Sequence, residues 1–209
     1  MENSSFTTEE ITEGLFRFID NSPTAFHAVQ NAARMLEEAG YKKIVCETAA
    51  GIRAGGRYYA TRNDSALIAF RIPAGEMKGL RIAASHSDSP CFKVKETPEM
   101  DVEGHYVKLN TEGYGGMIMS TWLDRPLSVA GRAILIENGR PVTKLVNNDR
   151  DLCIIPNVAI HFNREINKGF AYNPQVDQLP LYGGVNPEAS SENEEENKEK
   201  LKKKSLKAL

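Results

Sequence analysis

An α/β fold passing into a β-rich unit is the class that the sequence predicts, on three observations. Two stretches near the start repeat apolar residues at helical spacing. Runs of branched and aromatic residues, punctuated by turn signals, come after them. From Cys91 to the C-terminal tail no segment has clear helical periodicity.

The first helix is predicted from Thr7. Thr7–Glu10 reads T-x-x-E, a capping box, and Ile11, Leu15, Phe16, Phe18 and Ile19 follow on a broad apolar face. "NSPT" then breaks the chain, and Ser22 or Thr24 can cap a second helix in which Val29, Ala32, Ala33 and Leu36 recur. Gly40 is placed to end it, because the residue after a helix commonly takes a left-handed conformation that costs glycine least. "RYYATR" and "SALIAFRIP" read as strands with "RNDS" turning between them. "GLRIAAS", residues 79–85, reads as a buried strand of the α/β sheet. It leads into "ASHSDSP", residues 84–90, so that motif falls at a strand's C-terminal end, where ligand sites gather in open α/β sheets.

Beyond Cys91, "CFKVK", "HYVKLNT", "RAILIENGRPVTKLV" and "NVAIHF" are strand-like. Asn138-Gly139 is the signature of a two-residue hairpin turn, and Gly113, Gly115 and Gly116 in "EGYGG" mark a further turn or a flexible tip. Residues 1–91 are therefore read as an α/β part and 92–209 as a β-rich unit. Within the latter, 188–204 is a charged segment, with Glu194/Lys198, Glu196/Lys200 and Glu199/Lys203 in the i,i+4 order of a solvated helix. Leu201, Leu206 and Leu209 begin an apolar helical face that the chain does not complete. The expectation is a fragment of a longer protein.

Composition narrows the function classes. A formal net charge of −2 and a pI of about 6.1 argue against a nucleic-acid binder driven by bulk positive charge. Apolar residues at 41% and charged residues at 26% suit a soluble globular chain. "MENSSFTTEE" has neither the basic segment nor the apolar core of a secretory signal. Apolar runs such as "ALIAF" are far too short to span a bilayer, so no membrane partner is expected. Cys46, Cys91 and Cys153 are odd in number and lack metal-like spacing, which points to a reducing, cytoplasmic setting.

"ASHSDSP" allows three readings: a solvated loop, a serine-hydrolase site, or one corner of a metal site. A neutral imidazole is a good zinc ligand, and a carboxylate two residues on in an extended segment can point to the same side and hold the ring. That makes H-x-D, here His86 and Asp88, sensible as a metal corner, although the tripeptide by itself is short. No G-x-S-x-G occurs, and Ser85, Ser87 and Ser89 lie too near His86 to form a recognisable triad. Cys91 as a thiol nucleophile is set against the commoner buried structural cysteine. His27 falls in a helix, His105 in a strand-like stretch without a partner motif, and His161 beyond the apolar Val158 and Ile160. Trp122, Asp124 and Arg125 stand together in "TWLDRPLSVAGR", where an Asp–Arg pair beside an aromatic is usually structural.

Taken together, "NSPTAFHAV" (21–29), "ASHSDSPCFKVK" (84–95), "YGGMIMSTWLDRPLSVAGR" (114–132) and "IPNVAIHFNR" (155–164) resemble the M18 metallo-aminopeptidases, the family of aspartyl aminopeptidase and vacuolar aminopeptidase I. The four stretches run in family order across nearly the whole chain. The resemblance implies an enzyme that holds two metal ions, usually zinc with cobalt or manganese as alternatives, and uses a metal-activated water to hydrolyse the first peptide bond of peptide substrates. It implies a zinc-peptidase α/β catalytic domain, begun here by 1–91, interrupted by a β-rich dimerisation insertion from 92 onward. It also implies homodimers that build into a dodecamer. By match to the family motifs, His86 is expected as a zinc ligand, Asp88 as the residue that orients it, and His161 as a group that enters the partner subunit's active site to stabilise the oxyanion. Asp or Glu is the N-terminal residue to which the reading leans.

The chain departs from the family beyond Gln175, where nothing resembles the motifs that carry the bridging Asp, the remaining ligands and the general base. Zinc takes about four ligands, and His86 supplies one. The expectation is that this chain alone is catalytically silent. The competing reading is a non-catalytic oligomerisation or regulatory module that keeps the insertion without the metal site.

Overall fold

A computed structural model describes residues 6–45 and 51–184 of the chain. In order, its elements are α1 (Thr8–Asp20), α2 (Ala25–Glu38), β1 (Lys42–Lys43), β2 (Arg57–Arg62), β3 (Ala66–Arg71), β4 (Cys91–Val102), β5 (Tyr106–Tyr114), β6 (Ala130–Glu137), β7 (Arg140–Asn147) and β8 (Leu181–Gly184). Short 3₁₀ turns occupy Met119–Trp122 and Ile166–Lys168. The charged segment 188–204, the helix expected after it and Cys46 lie outside the described residues. The chain divides into two compact units, Met1–Ser89 with Ala130–Asn148, and Pro90–Val129 with Asp149–Leu209.

In the first unit the helix ends follow local chemistry. The Thr7 backbone N–H donates to Glu10 Oε2 at 2.8 Å while Thr7 Oγ1 accepts from the Glu10 N–H at 3.2 Å, so both halves of the capping box are made. Thr24 caps α2, and Gly40, at φ +80°, closes it in a Schellman arrangement. There the Gly40 N–H donates to the Glu37 carbonyl and the Tyr41 N–H to that of Leu36, each at 2.9 Å. The apolar face expected on α1 forms, but Ile11, Leu15, Phe16 and Ile19 are exposed among the described residues.

β2 is the centre of a three-stranded sheet, parallel to β1 and antiparallel to β3. Asn63 and Asp64, both at positive φ, stand in the three-residue connection 63–65 of the β2–β3 hairpin, where the Ser65 N–H donates to the Arg62 carbonyl at 3.3 Å. Successive residues Tyr58 and Tyr59 point to opposite faces, and both are buried. The Tyr59 hydroxyl donates to the Glu37 carboxylate on α2. On the other face the Tyr58 hydroxyl accepts from the Arg53 N–H at 2.9 Å, and a Cβ at Gly56 would overlap its ring. β6 and β7 form a hairpin turned by Asn138 and Gly139, both at positive φ. Although this hairpin falls inside 92–209, it packs with the first unit. Arg132 Nη1 donates to the Asn63 carbonyl at 3.1 Å, and the guanidinium lies 4.2 Å from the centre of the Phe26 ring.

The second unit is built on an antiparallel sheet in the order β4-β5-β8. Between the pairs Val94↔Thr111 and Glu99↔Leu109 the register shifts, and Pro98, which cannot donate to a ladder, sits in that bulge. Leu109, Ile155, Leu179 and Cys153 are its buried apolar residues.

Two expected strands are not formed. Residues 79–85 have no strand partner, and Leu80 and Ile82 are 80% and 85% exposed. Residues 157–162 are a loop and turn rather than the strand that "NVAIHF" suggested. The reason is shared: a strand exists through the ladder it makes with a neighbour, and branched residues supply only the tendency.

His27 carries a pH consequence. It is buried at the start of α2, with Nδ1 2.8 Å from Thr24 Oγ1, and burial holds its pKa below the ordinary 6.5. The folded form therefore prefers the neutral ring. Its contribution is complete above 6.5 and is lost as pH falls from there towards the depressed folded-state value. Thermal melts from pH 7.5 to 5 are expected to show a steeper fall in midpoint for the wild type than for His27→Gln.

Candidate functional site

The H-x-D motif sits in the first unit on the extended segment that follows β3. Ser87 Oγ donates to the Ser65 carbonyl at 2.9 Å, which anchors the motif to the β2–β3 turn. His86 Nδ1 meets the Asp88 backbone carbonyl at 2.5 Å and Asp88 Oδ1 at 3.2 Å. Both partners accept, so Nδ1 carries the proton and donates. That tautomer leaves the lone pair on Nε2. The imidazole is 79% exposed, so its Nε2 edge is open to a ligand.

This arrangement fits one corner of a metal site: one imidazole, its Nδ1 held as a donor and its Nε2 edge accessible. It does not fit a whole site. Zinc takes about four ligands, and among the described residues there is no group of three or more His, Cys, Asp or Glu side chains that could hold a metal ion. The structure brings together His86 and Asp88, the two members of the expected site that share a unit.

His161 belongs to the second unit. It lies on an exposed loop that leaves the buried Ile155, and the Phe162 N–H donates to the Ala159 carbonyl at 2.9 Å to form the turn that holds it. Its neighbours Val158, Ile160 and Phe162 are exposed as well. The base of the loop is tied to the segment after Trp122. Asp124 Oδ1 accepts from the Asn157 N–H at 2.8 Å, and the Asp124 N–H donates to the Ile155 carbonyl at 2.9 Å. Sequence reasoning grouped Asp124 with Arg125 and did not find its link to Asn157. The signal was there in part, since Asp and Asn each sit beside a turn, but nothing local pairs residues 33 positions apart.

The other candidates resolve quietly. Burial pushes the Cys153 thiol up, and its Sγ lies 3.7 Å from the Leu127 carbonyl, an arrangement for packing rather than nucleophilic attack. Cys91 opens β4, paired with Tyr114. His105 is in the β4–β5 turn, not in a strand. An open depression in the second unit is lined by Tyr106, Asp124, Asp151, Cys153 and Leu181 among others, and His161 is not part of it. Among the described residues no helix is long and apolar enough to cross a membrane.

Comparison with known proteins gives a consistent picture. The family model described as "Aminopeptidase I zinc metalloprotease (M18)" matches residues 18–209. A curated protein of Clostridium acetobutylicum, "Probable M18 family aminopeptidase 2", is 47% identical over 188 residues, covering 88% of this chain and 43% of that protein. Among solved structures, Chaetomium thermophilum mApe1 is similar with a TM-score of 0.76 at 31% identity, over 86% of this chain and 41% of that one. The S. cerevisiae mApe1 dodecamer is similar with a TM-score of 0.69 at 26% identity, over 83% of this chain and 38% of the other. The chain thus spans less than half the length of the relatives it matches.

Proposed function

This chain belongs to the M18 family of aminopeptidases, and we propose that it forms the N-terminal portion of a zinc-dependent aminopeptidase that removes the N-terminal residue, Asp or Glu by preference, from peptides. The observation that carries the reading is the His86 ring, whose tautomer is set by Asp88 so that Nε2 is free to ligate. His86 is the metal ligand in this proposal, Asp88 the residue that orients it, and Ser87 the anchor of the segment. The metal, when bound, supplies Lewis-acid chemistry that polarises water and the peptide carbonyl. His161, exposed on its loop, is proposed as a hydrogen-bond donor to the developing oxyanion, offered across a subunit interface.

In this proposal residues 1–91 contribute to the catalytic domain and 92–209 to a dimerisation insertion, and dimers assemble further in the cytoplasm. The dodecameric state of the S. cerevisiae relative supports the assembly. The 209-residue chain is proposed to be silent by itself, because one ligand does not hold a catalytic zinc.

Release of N-terminal residues from peptides by the parent protein tests the reading. Turnover is expected with metal supplied and is expected to disappear with a chelator. Chelator-insensitive turnover, or none with zinc, cobalt or manganese, would sink it. Acidic against neutral first residues in the same assay decide the preference.

A further inference from the structure

Asp124 and Asn157 are joined by a hydrogen bond across 33 positions of the sequence. Asp124 is a non-glycine residue in the left-handed region, at φ +56°, a conformation that persists where the surroundings impose it. The preceding Trp122 stands edge-on to Phe92 of β4, ring centres 5.1 Å apart, which holds the turn from which Asp124 emerges. From there Asp124 grips the neighbouring segment twice. Its carboxylate accepts from the Asn157 N–H at 2.8 Å and its own N–H donates to the Ile155 carbonyl at 2.9 Å. The bridge Leu123↔Ile155 extends the same contact, and the Leu127 N–H donates to the Cys153 carbonyl at 2.8 Å. Ile155 is buried, so one side of the grip rests on the core of the unit. The next residues, 156–161, leave that fixed point and carry His161.

We infer that Asp124 is a positioning residue: its carboxylate and backbone N–H clamp residues 155–157 and so set the loop that presents His161. The catalytic part of the inference rests on the role proposed above for His161; the clamp itself does not. A free loop would spread the imidazole over many positions, and an oxyanion donor acts only from a narrow range of distances. The clamp removes that freedom four residues before His161 without itself touching substrate. The left-handed backbone matters because it lets one residue present both its N–H and its carboxylate to the same neighbouring strand of chain.

Amide exchange and turnover together test it. In the 209-residue chain, exchange of the Asn157 N–H and of the 158–162 turn is expected to rise about tenfold in Asp124→Ala, as expected for a lost hydrogen bond to a charged acceptor. Asp124→Gly removes the acceptor while accommodating the positive φ, and is expected to match Ala. Asp124→Asn keeps an acceptor oxygen and tolerates the same backbone, so exchange stays within roughly threefold of wild type. In the parent protein Asp124→Ala is expected to lower kcat about tenfold with KM unchanged, and to lower it no further in a His161→Ala background. Unchanged Asn157 exchange in both Asp124→Ala and Asp124→Gly overturns the clamp. Additive losses of kcat overturn the coupling to His161. Full turnover in His161→Ala, which removes the donor, overturns the role proposed for His161 and the catalytic part of this inference, and leaves the exchange result to judge the clamp alone.

Discussion

Tyr59→Ala is expected to destabilise the first unit by about 3–5 kcal/mol, the range for truncating a large buried aromatic. Tyr59 is 1% exposed on the central strand, its ring under α2 and its hydroxyl donating to Glu37. Truncation would remove the ring from the core and cut the tie between helix and sheet in one step. Burial first, and then the Glu37 carboxylate, push the phenol up to about 12, so the hydroxyl remains a donor throughout the neutral range. Tyr59→Phe separates the two contributions. It keeps the ring and loses the hydrogen bond, for an expected cost of about 1 kcal/mol. Denaturant unfolding followed by tyrosine exposure measures both. A loss below about 1 kcal/mol in Tyr59→Ala would mean that β2 is not the anchor of this unit.

His86→Ala in the parent protein is expected to lower turnover by more than about a hundredfold and to lower metal content with it. The structural basis is the only ring among the expected site residues whose tautomer is already set for a ligand on Nε2. Asp88→Asn is a graded partner to this experiment. It retains the backbone carbonyl that His86 Nδ1 contacts at 2.5 Å and alters the side-chain contact at 3.2 Å. Its effect is expected to be about tenfold and to appear in metal affinity before it appears in turnover at saturating metal. Metal content by mass spectrometry and N-terminal residue release measure the two. Full metal content in His86→Ala would remove His86 from the site. An oligomeric protein with no bound metal in either wild type or variant would favour the module reading over the enzyme.

What could be read without the structure was local. The Thr7–Glu10 box, the Thr24 cap and Gly40 occupy the positions expected because each depends on atoms within a few residues of one another. The same holds for the Asn138-Gly139 turn, where positive φ is a property of the residues themselves. The H-x-D contact of His86 and Asp88 belongs here too, since it spans two positions. Residues 79–85 and 157–162 went the other way. Their composition favours strands, but the partners that would make them strands are not decided by their own residues. β1 and β8 were missed for the converse reason: Lys42–Lys43 and Leu181–Gly184 have little strand character and are strands because β2 and β5 offer them a ladder.

The sequence by itself therefore determined the helices and their caps, the hairpin turns, the family and the pair His86–Asp88. These rest on short-range chemistry or on ordered motifs. Only the tertiary structure decided that β6–β7 packs with the N-terminal part, that Arg132 reaches Asn63 and Phe26, and that Asp124 holds Asn157. Those contacts join residues dozens of positions apart. Whether such residues meet depends on how the chain between them packs, and no pattern in either segment alone encodes it.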